Sequence, residues 1–340
     1  MSVNGQEVHG GMPRRVPFRS KNRFSFGGLL PIQIQMTAAP IPARPEPRPF
    51  TLAEIQNRVR LCPRLPSLRS IQGALRELLA AEQRYAGQIS EVIRRDPGLT
   101  ARMLRLVNSA HFGLAHKVTN LEEAVFFVGV RQVRELAMMT PVIDDFKRLT
   151  GSKDSNWRDL WKHCIATAMV TKELMLATPE PGDDLDYVAG LVHDVGWIVL
   201  GTVFPDHYHE ILRRLQAGAT AARHVENDVL GCDHAQLGAI YLKTQELSAS
   251  LVLATQYHHA PSGAEMQSRL AAAVQIADHF TNSIGLGHPG EGPSVHSTRW
   301  LDVSGWDILF PEGTETNRNF ALKVLERTAE RLPGMVECLV

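Results

Sequence analysis

The chain has 340 residues, 44% of them hydrophobic, enough apolar content for one large core or two smaller ones. Its 36 Lys and Arg balance 36 Asp and Glu, which removes the electrostatic footprint of a protein that holds nucleic acid by bulk attraction. Four scattered cysteines, Cys62, Cys164, Cys232 and Cys338, form no CxxC pair; neither a disulfide framework nor a thiolate zinc knuckle is indicated, and a reducing cytoplasm fits best.

Residues 1–48 are rich in Pro, Gly and Arg, with seven basic residues against two acids and no sustained periodicity. They read as a disordered basic tail. No apolar run ending in a small-residue cleavage site marks a secretory signal. From residue 51 the pattern becomes helical. In "DPGLTARMLRLVNSA", Asp96 and Pro97 supply a start signal, and Leu99, Met103, Leu106 and Ala110 form a stripe. Asn108 shares a stripe with Leu104 and reads as an interior amide satisfying a backbone turn. In "VTNLEEAVFFVG", Thr119 or Asn120 can cap a helix whose first turn holds Glu122 and Glu123, and Gly129 is a plausible stop. The polar stretch "TGSKDSN", 150–156, places a boundary between a helical part at 51–150 and a second bundle at 151–285, followed by a loop and closing helix at 286–340. No alternating-strand pattern or fixed repeat occurs, so the expected fold class is all-α.

The stretch "AGLVHDVGWIVLG", 189–201, is apolar or glycine at eleven of thirteen positions, yet His193 and Asp194 interrupt it. The surrounding run, residues 187–204, is about long enough to cross a bilayer. A central His–Asp pair argues instead for a buried helix of a soluble protein, without membrane contact. A carboxylate there costs several kcal/mol unless paired, hydrogen-bonded or metal-bound. Gly190 and Gly196 would let a neighbouring backbone or a ligand come close.

Further candidate ligands fall on helical segments: His163, His234 in "CDHAQLG", His258 and His259 in "QYHHAP", and Asp278 in "QIADHF". Imidazole and carboxylate together suit Fe, Mn, Zn, Ni or Co, and a carboxylate between two cations can bridge them. Taken singly, each has a plainer reading: His163 as a satisfied core histidine, His234 as a turn residue, His258 and His259 as a helix-end pair, Asp278 as the partner of an arginine. His207, His209 and His224 lie in a charged amphipathic segment and read as surface.

In order along the chain, "DPGLTARMLRLVNSAHFG", "LEEAVFFVGVRQVRELAM", "LWKHCIATA", "AGLVHDVG", "GCDHAQLGA" and "HHAP" resemble the HDOD family, the HD-related output domain of bacterial signalling proteins, over roughly residues 55–285. The resemblance implies an HD-like multi-helix bundle with an N-terminal helical part, and a regulatory rather than catalytic role. Relatives are often fused to other signalling domains, whereas the 48-residue leader here leads us to expect a stand-alone member. Trp197 stands where the related HD-GYP phosphodiesterases have lysine, and no Gly-Tyr-Pro follows "HHAP". "LKTQELSAS" replaces the Trp-x-x-Pro-like turn of many relatives.

The expected function is therefore a signalling module that binds a protein partner or a small nucleotide-like ligand, with no required cofactor and no nucleic acid. Its His163, His193, Asp194 and Asp278 would share a polar pocket holding a divalent metal weakly or not at all. The alternative is a metal-dependent phosphohydrolase acting on a nucleotide or cyclic dinucleotide. There Asp194, the catalytic candidate, would bridge a first ion held with His163, His193 and Asp278 and a second near His234, His258 and His259.

Overall fold

Helix start signals and apolar stripes organise the chain from residue 51 onward. The computed structural model describes residues 47–63, 89–90, 93–94, 97–150, 155–180, 182–183, 185–218, 222–288 and 298–340. Residues 1–46, which include almost all of the expected basic tail, lie outside the described residues, as does Asp96. Among the described residues there are fourteen α-helices, two short 3-10 helices and no strand. The fold is all-α.

Helix α1, Leu52–Val59, opens with a capping box: the Thr51 side chain accepts from the Glu54 N–H, and the Glu54 carboxylate accepts from the Thr51 backbone. Helix α2, Pro97–Val107, starts at the expected proline. Its stripe of Leu99, Met103 and Leu106 is buried, but Ala110 lies past the helix end and is exposed. Asn108 causes the difference. Its amide donates to the Leu104 and Val118 carbonyls, at 2.8 and 2.7 Å, and its oxygen accepts from Val118 N–H. It thereby satisfies a backbone turn and ties down the loop beyond it. Helix α3, Leu121–Val128, is capped by Asn120 and stopped by Gly129; α4, Val130–Thr150, follows at once.

Helix α5, Ser155–Ala177, runs through the interior, packed by α6 (Leu185–Val192), α12 (Ser268–Ser283) and α14 (Glu315–Leu339). Between them lie α7 (Val195–Val203), α8 (Pro205–Gln216), α9 (Ala222–Leu230), α10 (His234–Thr244) and α11 (Ala249–Tyr257), with the short α13 (Gly305–Leu309) before α14. One apolar cluster runs from Ile55 to Leu339, so 51–150 and the later helices share a core. The closing helix α14 is fastened at its end: Arg102 donates to the Leu339 carbonyl at 3.3 Å, and Glu337 pairs with Arg158 and Lys162.

Two expectations need correction. The apolar run 187–204 is not one helix: it breaks at His193 and Asp194, where Asp194 adopts φ −100°, ψ 16° and becomes the N-cap residue of α7. No single helix among the described residues is long and apolar enough to cross a membrane. His207 is not a surface residue. It is buried, its ring 4.8 Å from that of Phe50 and its Nε2 bonded to the Arg48 carbonyl at 3.0 Å, because residues 48–50 lie across the start of α8. His209 and His224 are exposed, as expected.

Candidate metal centre

The break between α6 and α7 explains why a His–Asp pair can sit inside an apolar run. On a continuous helix, neighbouring side chains diverge by about 100°. At the break, both point the same way, with His193 Nε2 3.4 Å from Asp194 Oδ2. Other backbones approach closely on either side of the break. A Cβ at Gly190 would stand 2.6 Å from the Ala168 Cα on α5, and one at Gly196 only 1.9 Å from the His234 carbonyl oxygen on α10. The flanking glycines thus admit backbones and bring two further ligand-bearing helices against the pair.

Around Asp194 the structure gathers the other six expected residues. His163 comes from the middle of α5, His234 opens α10, His258 ends α11 with His259 directly after it, and Asp278 lies on α12. Asp194 is central, and its two oxygens face different groups. Oδ2 lies 3.7 Å from His163 Nε2 and 3.4 Å from His193 Nε2; Oδ1 lies 3.4 Å from His234 Nε2 and 3.8 Å from His258 Nε2. Asp278 Oδ1 lies 3.3 Å from His163 Nε2 and accepts from the Asn282 amide at 2.9 Å. All of these are buried except His259, which is half-buried at the rim. Asp278 has His163, not an arginine, as its ion partner among the described residues.

Two participants were missed by sequence reasoning. His288, beyond α12, places Nε2 2.9 Å from Asp194 Oδ2. Glu226 on α9 is buried, accepts from the His234 backbone N–H at 2.6 Å and contacts its Nδ1 at 2.8 Å. A histidine in the Gly-rich turn "GLGHPG" and a glutamate in a charged amphipathic helix carry no periodic signal; the only hint for His288 was its distance of ten positions from Asp278.

The tautomers follow from the outer partners. Nδ1 of His163, His193 and His258 faces the carbonyls of Leu286, Gly190 and Thr255 at 2.9, 2.8 and 2.7 Å. A carbonyl only accepts, so each Nδ1 carries a proton and each ring turns its Nε2 inward, as a lone pair wherever the ring is neutral. Glu226 does the same for His234, the carboxylate–histidine arrangement that orients metal ligands. His163 Nε2 then meets His193 Nε2 at 3.2 Å, and His259 Nε2 meets His234 Nε2 at 2.9 Å. Such nitrogen pairs need a proton or a cation between them. Among the described residues, Asp194 Oδ1 and His258 Nε2 are buried with no hydrogen-bond partner, which is the condition a bound cation relieves.

Electrostatics divide the imidazoles. Burial opposes charge on all of those with shifted values. At His193 and His234 the adjacent carboxylates overcome it, raising His193 through Asp194 and His234 to about 9 through Glu226 and Asp194. Burial, joined by the neighbouring imidazolium charges, pushes His258 down to about 3 and His259 well below the ordinary value. Burial also lowers His288 against the pull of Asp194. For Asp194 and Asp278 burial works the other way, but the surrounding histidines hold both well below the usual carboxylate range. Two buried negative charges thus face several neutral nitrogen donors. The donor set fits a divalent ion of the first transition row, and four overlapping triads have ligand atoms within 4.8 Å of one another.

The helices and this centre define an HD-like all-α protein. A profile of the HDOD domain matches residues 65–261, and the chain belongs to the HDOD family. An uncharacterized protein of Treponema pallidum (strain Nichols) is 28% identical over 232 residues, 66% of this chain; the match spans 43% of that relative's length. Among solved structures, an HDOD domain protein of unknown function from Geobacter sulfurreducens is 21% identical, with 85% of this chain and 99% of that one covered and a TM-score of 0.68. A proposed signal transduction protein from Marinobacter aquaeolei VT8 is 22% identical, covering 82% and 60%, with a TM-score of 0.59. A proposed phosphohydrolase from Shewanella amazonensis SB2B is 23% identical, covering 85% and 98%, with a TM-score of 0.56. At these identities the likeness is one of fold.

Proposed function

We propose that the chain is a regulatory module of signal transduction whose buried His–Asp centre holds a divalent metal as part of the fold, and whose output is binding to a signalling partner or small ligand rather than turnover. The carrying observation is Trp197. It is buried, stacked on the His234 ring with centroids 5.5 Å apart and edge-on to His288 at 5.5 Å. Its indole sits directly against the ligand shell. Phosphoryl chemistry needs cationic groups to grip the phosphate as well as metal, and among the described residues Asp194 and Asp278 pair with histidines alone. The sequence led us to expect weak or no metal binding; the inward-facing Nε2 atoms favour occupancy.

A second reading, a metal-dependent phosphohydrolase, draws on the division of the Asp194 oxygens between two imidazole groups, the arrangement of a bridging ligand. In that case His163, His193 and Asp278 would hold one ion and His234, His258 and His259 another, supplying Lewis acidity at the half-buried rim. Hydrolysis of bis(p-nitrophenyl) phosphate and of a cyclic dinucleotide separates the readings. Manganese- or iron-loaded protein is expected to stay at background, as is Asp194→Ala. Turnover by the wild type that the substitution abolishes would establish the enzyme instead.

A further inference from the structure

We propose that His288 is itself a metal ligand of this centre, closing from within the protein a coordination position beside His163 and Asp194. This rests on the reading of the centre as a metal site. The argument begins with the short loop that follows α12. Gly285 N–H bonds to the Asn282 carbonyl at 3.2 Å and Leu286 N–H to the Thr281 carbonyl at 3.0 Å, turning the chain back toward α5. The Leu286 carbonyl then receives the His163 Nδ1 proton. One loop thus sets the tautomer of an established candidate ligand and, two residues later, delivers another imidazole.

The His288 ring is held on two sides, by the His163 ring at 5.3 Å and the Trp197 ring at 5.5 Å between centroids. A histidine in a Gly- and Pro-flanked turn ordinarily faces water; this one is 7% exposed. A hydrogen bond to Asp194 would by itself account for the 2.9 Å contact. It does not account for the convergence, in which a ligand atom of His288 lies within 4.8 Å of both a His163 nitrogen and an Asp194 oxygen. Three such donors facing one point are a partial coordination shell.

The consequence concerns what the centre can do. Catalytic metal sites keep a position for water or substrate, whereas structural sites fill theirs with protein ligands. An imidazole from the α12 loop occupies the position that solvent would take on the Asp194 Oδ2 side. With Trp197 packed behind it, that side of the centre is built to retain an ion rather than to exchange its ligands.

Cobalt titration of the full chain, followed by visible absorption, tests this, with azide as the probe of an exchangeable position. Wild type is expected to bind cobalt with a spectrum that azide leaves unchanged. His288→Ala, shown folded by circular dichroism in the metal-free state, is expected to bind at least ~10-fold more weakly, the loss that even an outer-shell partner causes, and to respond to azide. His288→Gln keeps a donor for Asp194 but ligates poorly, so it should follow the alanine variant. Wild-type affinity and azide silence in His288→Gln would reduce His288 to a hydrogen-bond donor and overturn the proposal. So would an identical azide response in wild type and His288→Ala. Failure of wild type to take up cobalt at all would instead overturn the metal reading on which the proposal stands.

Discussion

Replacing Asp194 by alanine removes the group on which the whole centre is organised. In the metal-free protein the carboxylate accepts from His288 at 2.9 Å and faces His193 and His234 at 3.4 Å each. Both of those imidazoles are raised in pKa by it, among other partners. Removing one member of a buried ion pair costs about 3–5 kcal/mol, and stranding a buried hydrogen-bond partner about 1–3 kcal/mol. His193 and His234 can shed their protons in response, which keeps the loss near the overlap of these ranges. The expected cost is about 3 kcal/mol, on the order of a 100-fold shift in the folding equilibrium. Asp194→Asn keeps the volume and an acceptor oxygen, so about 1–2 kcal/mol is expected. Urea denaturation in EDTA gives both numbers. Repeated with manganese or cobalt at a 100-fold excess over Kd, wild type should gain about 2.7 kcal/mol and neither variant should gain anything. An alanine variant within about 0.5 kcal/mol of wild type, a change typical of surface sites, would refute the reasoning.

The pH dependence of the metal-free protein has a definite sign. His258 and His259 are lowered in the fold, so their contribution is present above about pH 6.5 and is lost as pH falls and the unfolded chain takes up protons, by up to about 1.4 kcal/mol per pH unit per group. His234, raised to about 9, contributes below about pH 6.5 and loses that contribution as pH rises toward 9. Urea midpoints in EDTA should therefore peak near neutrality; a steady rise from pH 5 to 9 would contradict these assignments. Gly196→Ala, whose Cβ would meet the His234 carbonyl at 1.9 Å, should cost about 3 kcal/mol. Gly334→Ala on α14, with nothing within 4 Å, should be neutral or stabilising by under ~1 kcal/mol in the same melts. Glu226→Gln keeps the shape but removes the charge behind His234, and should weaken metal binding about 10-fold by calorimetric titration.

The centre was legible where polar residues broke an apolar pattern. His163, His193, Asp194 and Asp278 stood out because a buried charge on a core helix demands a partner, and the partners proved to be one another. Six motifs in order along the chain carried the family, and the profile match at 65–261 falls within the expected 55–285. What periodicity could not show was backbone irregularity. The helix break at Asp194 leaves no mark in the apolar spacing on either side of it, and the backbones packed against it, at Ala168 and His234, are distant in sequence. Glu226 was hidden because an acidic residue on an amphipathic helix looks solvated until α10 is laid over it. His207 was misread for the same reason, its cover coming from Phe50 and Arg48, more than 150 positions earlier. His288 lies in a turn, where spacing rules for helices do not reach.

The most direct test is the metal content of the full-length protein purified without a chelating tag. Elemental analysis after dialysis is expected to find at least one first-row divalent ion per chain in wild type and none in Asp194→Ala. Wild type carrying no such ion, with a urea midpoint unmoved by added manganese, iron, zinc, nickel or cobalt, would contradict the account and leave the centre a purely protonic network.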